Sequence, residues 1–90
     1  MIEWQVNILE TAPSELAKSM VIGYVNMRDV AESLNSIFMC VNATMLDRKI
    51  GGDPDLPPPE DDIPSMWTEV MTDDELKDTR EWLIMLASYE

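Results

Sequence analysis

The chain has 90 residues, 46% of them apolar, which is enough for one small domain with an ordinary core. Eighteen acids against six bases give a net charge of −12, a sign that opposes direct contact with nucleic acid or an anionic membrane. The excess is uneven: residues 1–50 carry six acids and four bases, residues 51–90 twelve acids and two bases.

In residues 1–10, Ile2, Trp4, Val6 and Ile8 alternate with Glu3, Gln5 and Asn7, the period of a half-buried strand. A lone strand leaves its backbone groups unpaired. Its neighbour is residues 20–26 read as a strand, a second copy of the chain, or a partner's sheet edge. A helix is expected over residues 13–21, where Pro13 and Glu15 suit a first turn and Leu16, Ala17, Met20, Val21 and Tyr24 line one side.

The clearest helix covers residues 27–46. Met27, Val30, Ala31, Leu34, Ile37, Phe38, Val41 and Met45 share one face, with Arg28, Glu32, Asn35, Ser36 and Asn42 on or toward the other. Asn26 suits its N-cap, Arg48 and Lys49 complement its dipole, and Gly51 and Gly52 stop it. Residues 51–64 hold five prolines and two glycines and read as an acidic connector. Residues 65–71 suit a helical turn. A last helix over residues 73–89 opens on a capping box, Thr72 with Glu75, and buries Leu76, Leu83, Leu86 and Ala87.

These elements predict one mainly α domain: a small bundle of about three helices with an N-terminal strand-like segment and an acidic Pro-rich connector. An N-terminal unit over 1–50 and a C-terminal helical segment over 65–90 flank that connector. An α+β domain with a short N-terminal hairpin is the alternative.

Catalytic chemistry has little to stand on. Histidine is absent, which removes the commonest general base and zinc ligand. Cys40, the one cysteine, sits in an apolar run and reads as an inert buried thiol, and no internal disulfide is possible. Gly51-Gly52 lacks the spacing of a phosphate loop, and the prolines among Asp53, Asp55, Glu60, Asp61 and Asp62 break a calcium-loop turn. No enzyme, metal or cofactor is expected. The chain has no signal-peptide pattern and no apolar run long enough to span a bilayer, which suggests a cytoplasmic protein.

What remains is surface. Asp74, Asp78 and Glu81 fall in one stripe opposite the leucines of the last helix, spaced roughly 4.5–6 Å along its axis. That is of the order of the phosphate spacing along a nucleic-acid strand. Trp82, Met85 and Tyr89 lie in or beside the stripe, and Trp67 stands near the connector with Met66 and Met71. Trp82 and Tyr89 have a second reading, in which they pack against the N-terminal unit. Methionine is usually core filler but also makes adaptable contact surface.

In size and acid balance the chain is similar to the small acidic inhibitors that phages make, some of which imitate DNA to occupy a basic groove. The likeness is one of composition and carries over no residues. The function expected is inhibition or regulation of a basic, nucleic-acid-handling protein by occlusion. The connector acids and the Asp74, Asp78, Glu81 stripe would set association, and Trp67, Trp82, Met85 and Tyr89 dissociation. The alternative is an oligomeric assembly adaptor or a chaperone of a larger complex, with a homodimer as one form.

Overall fold

A computed structural model of the chain describes residues 10–25 and 29–87, and these form a helical domain. Four helices lie among them: α1 (Glu15–Val25), α2 (Val30–Arg48), the short α3 (Ser65–Thr68) and α4 (Asp73–Ala87). No strand occurs among the described residues. The strand pattern of residues 2–8 lies outside them. Residues 20–25 belong to α1, so they cannot serve as its partner strand: Met20, Val21, Tyr24 and Val25 follow helical, not alternating, burial.

Each helix has a local reason to begin where it does. The Ser14 hydroxyl accepts the Ala17 N–H at 3.1 Å and caps α1. Asp29, not Asn26, caps α2: its backbone is extended and its carboxylate accepts the Glu32 N–H at 2.9 Å. In α4 the capping box closes both ways, Thr72 Oγ1 accepting the Glu75 N–H at 3.1 Å and Glu75 Oε1 accepting the Thr72 N–H at 3.0 Å.

The glycines do not end α2. Lys49 takes the left-handed conformation, φ 60°, two residues earlier than expected. Its N–H reaches the Leu46 carbonyl and the Ile50 N–H the Met45 carbonyl, a Schellman ending. Ile50 then packs on the core beside the helix it has just left. Gly52, at φ 89°, is needed for the next step, because a Cβ there would lie 3.1 Å from Asn42 Oδ1 and 3.2 Å from the Asn42 carbonyl.

The core forms where α1, α3 and α4 meet the long α2. Ala17, Met20, Val21 and Tyr24 come from α1, Ile37, Val41 and Met45 from α2, and Leu76, Trp82, Leu83 and Leu86 from α4. Arg80 lays its guanidinium over the Phe38 ring, 5.5 Å from the centroid, and so ties α4 to α2. Three assignments to faces change. Ala31 and Ala87 are exposed, and Asn42 is buried.

The connector is part of the fold. Residues 51–64 lie back along α2, pinned at Asn42 to the backbone of Asp53 and at Cys40, whose thiol donates to the Asp61 carbonyl at 3.2 Å. Pro64 at its end is fully buried.

Candidate protein-binding surface

The acidic residues divide by what their carboxylates do. Asp53 accepts the Asp55 N–H at 2.9 Å and Asp61 the Ile63 N–H at 3.0 Å, each closing an Asx turn across the connector. Asp61 also accepts the Tyr24 hydroxyl. These two carboxylates hold the chain's own backbone in shape. Asp55, Glu60 and Asp62 are exposed. The sequence marks all five as surface; in the structure three are exposed, and Asp53 and Asp61 are half-buried.

On α4, Asp74, Asp78 and Glu81 are exposed, whereas Leu76, Thr79 and Leu83 on the same helix are buried. Two ion pairs occur among the described residues, Lys18 with Glu15 at 3.4 Å and Arg48 with Asp73 at 3.2 Å. Asp74, Asp78 and Glu81 take part in neither. A stripe of like charge on one helix is mildly unfavourable for the isolated chain and attractive to a cationic surface.

The aromatic residues separate as well. Trp82 is only 4% exposed and its indole N–H donates to Thr11 Oγ1 at 2.8 Å. It is a core residue packed toward the N-terminal part of the chain, not an exposed anchor, because the α4 face that presents Leu83 and Leu86 turns it inward as well. Trp67 is half-buried, its ring lying against α1 at Gly23, where a Cβ would come within 3.3 Å of Cζ2. Met85 is 38% exposed. Tyr89 lies outside the described residues. Of the two methionines beside Trp67, Met71 is buried and Met66 is 70% exposed.

Ile63, Val70, Ile22 and Ile84 are also exposed, although none of them is expected at the surface from the sequence pattern. The signal for Ile63, Met66, Trp67 and Val70 is present as an i, i+3, i+4, i+7 spacing. Treating residues 51–64 as a separate connector cuts that spacing in two.

Cys40 is buried, and burial pushes its thiol up to about 11, with the Asp62 and Asp61 carboxylates adding to the shift. At neutral pH it is a protonated donor to a carbonyl, a structural rather than nucleophilic state. Among the described residues no group of three or more His, Cys, Asp or Glu side chains is placed to hold a metal ion, and no helix is long and apolar enough to cross a membrane. No family model, curated protein or solved structure matches the chain.

Proposed function

We propose that this protein binds a basic, nucleic-acid-handling protein in the cytoplasm and occludes its positive surface, as an inhibitor or regulator in the manner of a DNA mimic. The observation that carries this reading is the exposed, unpaired stripe of Asp74, Asp78 and Glu81 on α4, in a chain of net charge −12. Asp55, Glu60 and Asp62 are exposed acids on the connector that add to the negative charge a basic partner would meet. Long-range attraction of this kind speeds encounter and weakens with salt, while apolar contact governs how long the complex lasts.

The assembly-adaptor reading has less to draw on. Its apolar run, residues 82–87, spends Trp82, Leu83 and Leu86 on the chain's own core.

The test is an affinity capture from nuclease-treated lysate of the native host, washed at low and high salt, with the retained proteins identified by mass spectrometry. Wild type should retain a basic nucleic-acid-binding protein that is lost at high salt, and the variant combining D74N, D78N and E81Q should retain markedly less. Recovery of the chain alone, or of neutral proteins indifferent to salt, would overturn the reading.

A further inference from the structure

The segment around α3 carries an apolar ridge that the core does not use. Ile63, Met66 and Val70 are 43%, 70% and 66% exposed and recur at i, i+3 and i+7. Helical turns extend past α3 on both sides and set that spacing. The Ser65 N–H reaches the Asp62 carbonyl, the Met66 N–H the Ile63 carbonyl, and the Val70 N–H the Trp67 carbonyl. At roughly 100° per residue the three apolar side chains share one sector, with Pro64, Thr68 and Met71 on the buried side. Asp62 and Glu69, both exposed, fall along the outer edge.

The ridge is held rigidly from beneath. Thr44 donates its hydroxyl proton to the Cys40 carbonyl, so Thr68 is the donor in the 2.8 Å contact that ties α3 to α2. Arg48 donates to the Glu69 and Met71 carbonyls at 2.9 and 2.7 Å. Trp67 is wedged on α1 at Gly23, whose chain neighbour Ile22 is itself 49% exposed. Exposed apolar residues scattered singly need no explanation, but three at helical period on one supported turn form a surface. Such a surface loses little conformational entropy on binding.

Charge decides what fits. A second copy of the chain would bring Asp62 and Glu69 against the same acids in a molecule that also carries −12, which disfavours self-association. A helix with an apolar stripe flanked by lysine or arginine satisfies both features at once. We propose that Ile63, Met66 and Val70, edged by Asp62 and Glu69, seat a basic amphipathic helix of the partner protein. This rests on the reading that the partner is basic and adds where and through what element it docks.

The test uses the full chain and two synthetic lysine-leucine peptides of identical composition, one with leucines at i, i+3, i+4 and i+7, the other scrambled. The amphipathic peptide should bind about tenfold tighter by calorimetry and shift the Ile63, Met66 and Val70 methyl signals in NMR spectra. The double variant of M66S and V70S, which alters only exposed positions, should reduce that affinity about tenfold, toward the scrambled level. Equal affinity for the two peptides, or wild-type binding by the variant, overturns the docking ridge. If the shifts then gather on Asp74, Asp78 and Glu81, the basic-partner reading stands without the ridge. If neither peptide binds at low salt, both fall.

Discussion

Asn42 and Asp53 hold each other through a closed pair of hydrogen bonds: Asn42 Oδ1 accepts the Asp53 N–H at 2.7 Å, and Asn42 Nδ2 donates to the Asp53 carbonyl at 3.1 Å. A buried side-chain amide thus substitutes for a backbone partner and fixes the start of the acidic connector on α2. Truncation by N42A leaves a donor and an acceptor without partners, which should cost about 2–3 kcal/mol. The variant D53N keeps the same backbone and can still accept the Asp55 N–H, so it should be nearly neutral. Urea midpoints at unchanged slope would separate the two. Equal losses would mean that the carboxylate, not the backbone, anchors the connector.

Arg48 makes a similar anchor at the last residue of α2. Its strong contacts are the Met71 and Glu69 carbonyls, while its pair with Asp73 at 3.2 Å is partly exposed and screened. The variant R48A should therefore lose about 2–3 kcal/mol, and D73N less than about 1 kcal/mol. R48K, with one compact ammonium in place of the planar fork, should fall between them. The check is chemical denaturation of the three variants under one salt condition. A D73N loss as large as that of R48A would make the ion pair the principal contact.

Much of this fold is legible in the sequence because it depends on periods and caps. The Thr72 and Glu75 box marks the start of α4, and the apolar faces of α1 and α2 follow 3.6-residue spacing. The errors have equally local causes. Asn26 and Asp29 are both good caps by residue type, and only backbone conformation at Asp29 distinguishes the cap in use. Asn42 is polar and so reads as surface, since its partner, the backbone of Asp53, is invisible to any side-chain pattern. Trp82 shows the converse: an aromatic among acids allows both a contact role and packing on the N-terminal unit, and the α4 face it shares with Leu83 and Leu86 turns it inward. The ridge at Met66 escaped because a proline-rich stretch reads as irregular, although its last residues already follow helical spacing. Charge was legible throughout, as it needs no geometry.

Glu75 links the α4 cap to pH. The Thr72 backbone N–H, hydrogen-bonded to its carboxylate, holds it below its ordinary value of 4.5, with the Thr72 hydroxyl contributing in the same direction. A carboxyl depressed in the folded state adds stability that is fully present above its unfolded value and is lost as pH falls through the folded one. Wild type should therefore lose stability on acidification more steeply than E75Q once pH drops below about 4.5. At pH 7 the variant T72A should lose about 1 kcal/mol through the missing cap. Thermal unfolding of wild type and E75Q from pH 7 to pH 3 is the measurement. Parallel curves would show that the cap is not coupled to titration.

Trp82 separates stability from binding. If it were a contact residue, W82A would chiefly speed dissociation of a partner. Buried at 4% exposure with its indole N–H on Thr11, it should instead cost about 3–5 kcal/mol of folding stability when cut to alanine. The variant W82F retains most of the ring volume and loses the indole donor, so it should fold with a smaller penalty. Below its melting temperature it should bind the amphipathic basic peptide with wild-type affinity, whereas the M66S and V70S double variant should fold normally and bind weakly. Dissociation rates measured beside melting temperatures for both proteins test the contrast. A W82F protein that is fully folded but releases the peptide many times faster would return Trp82 to the interface and count against its assignment to the core.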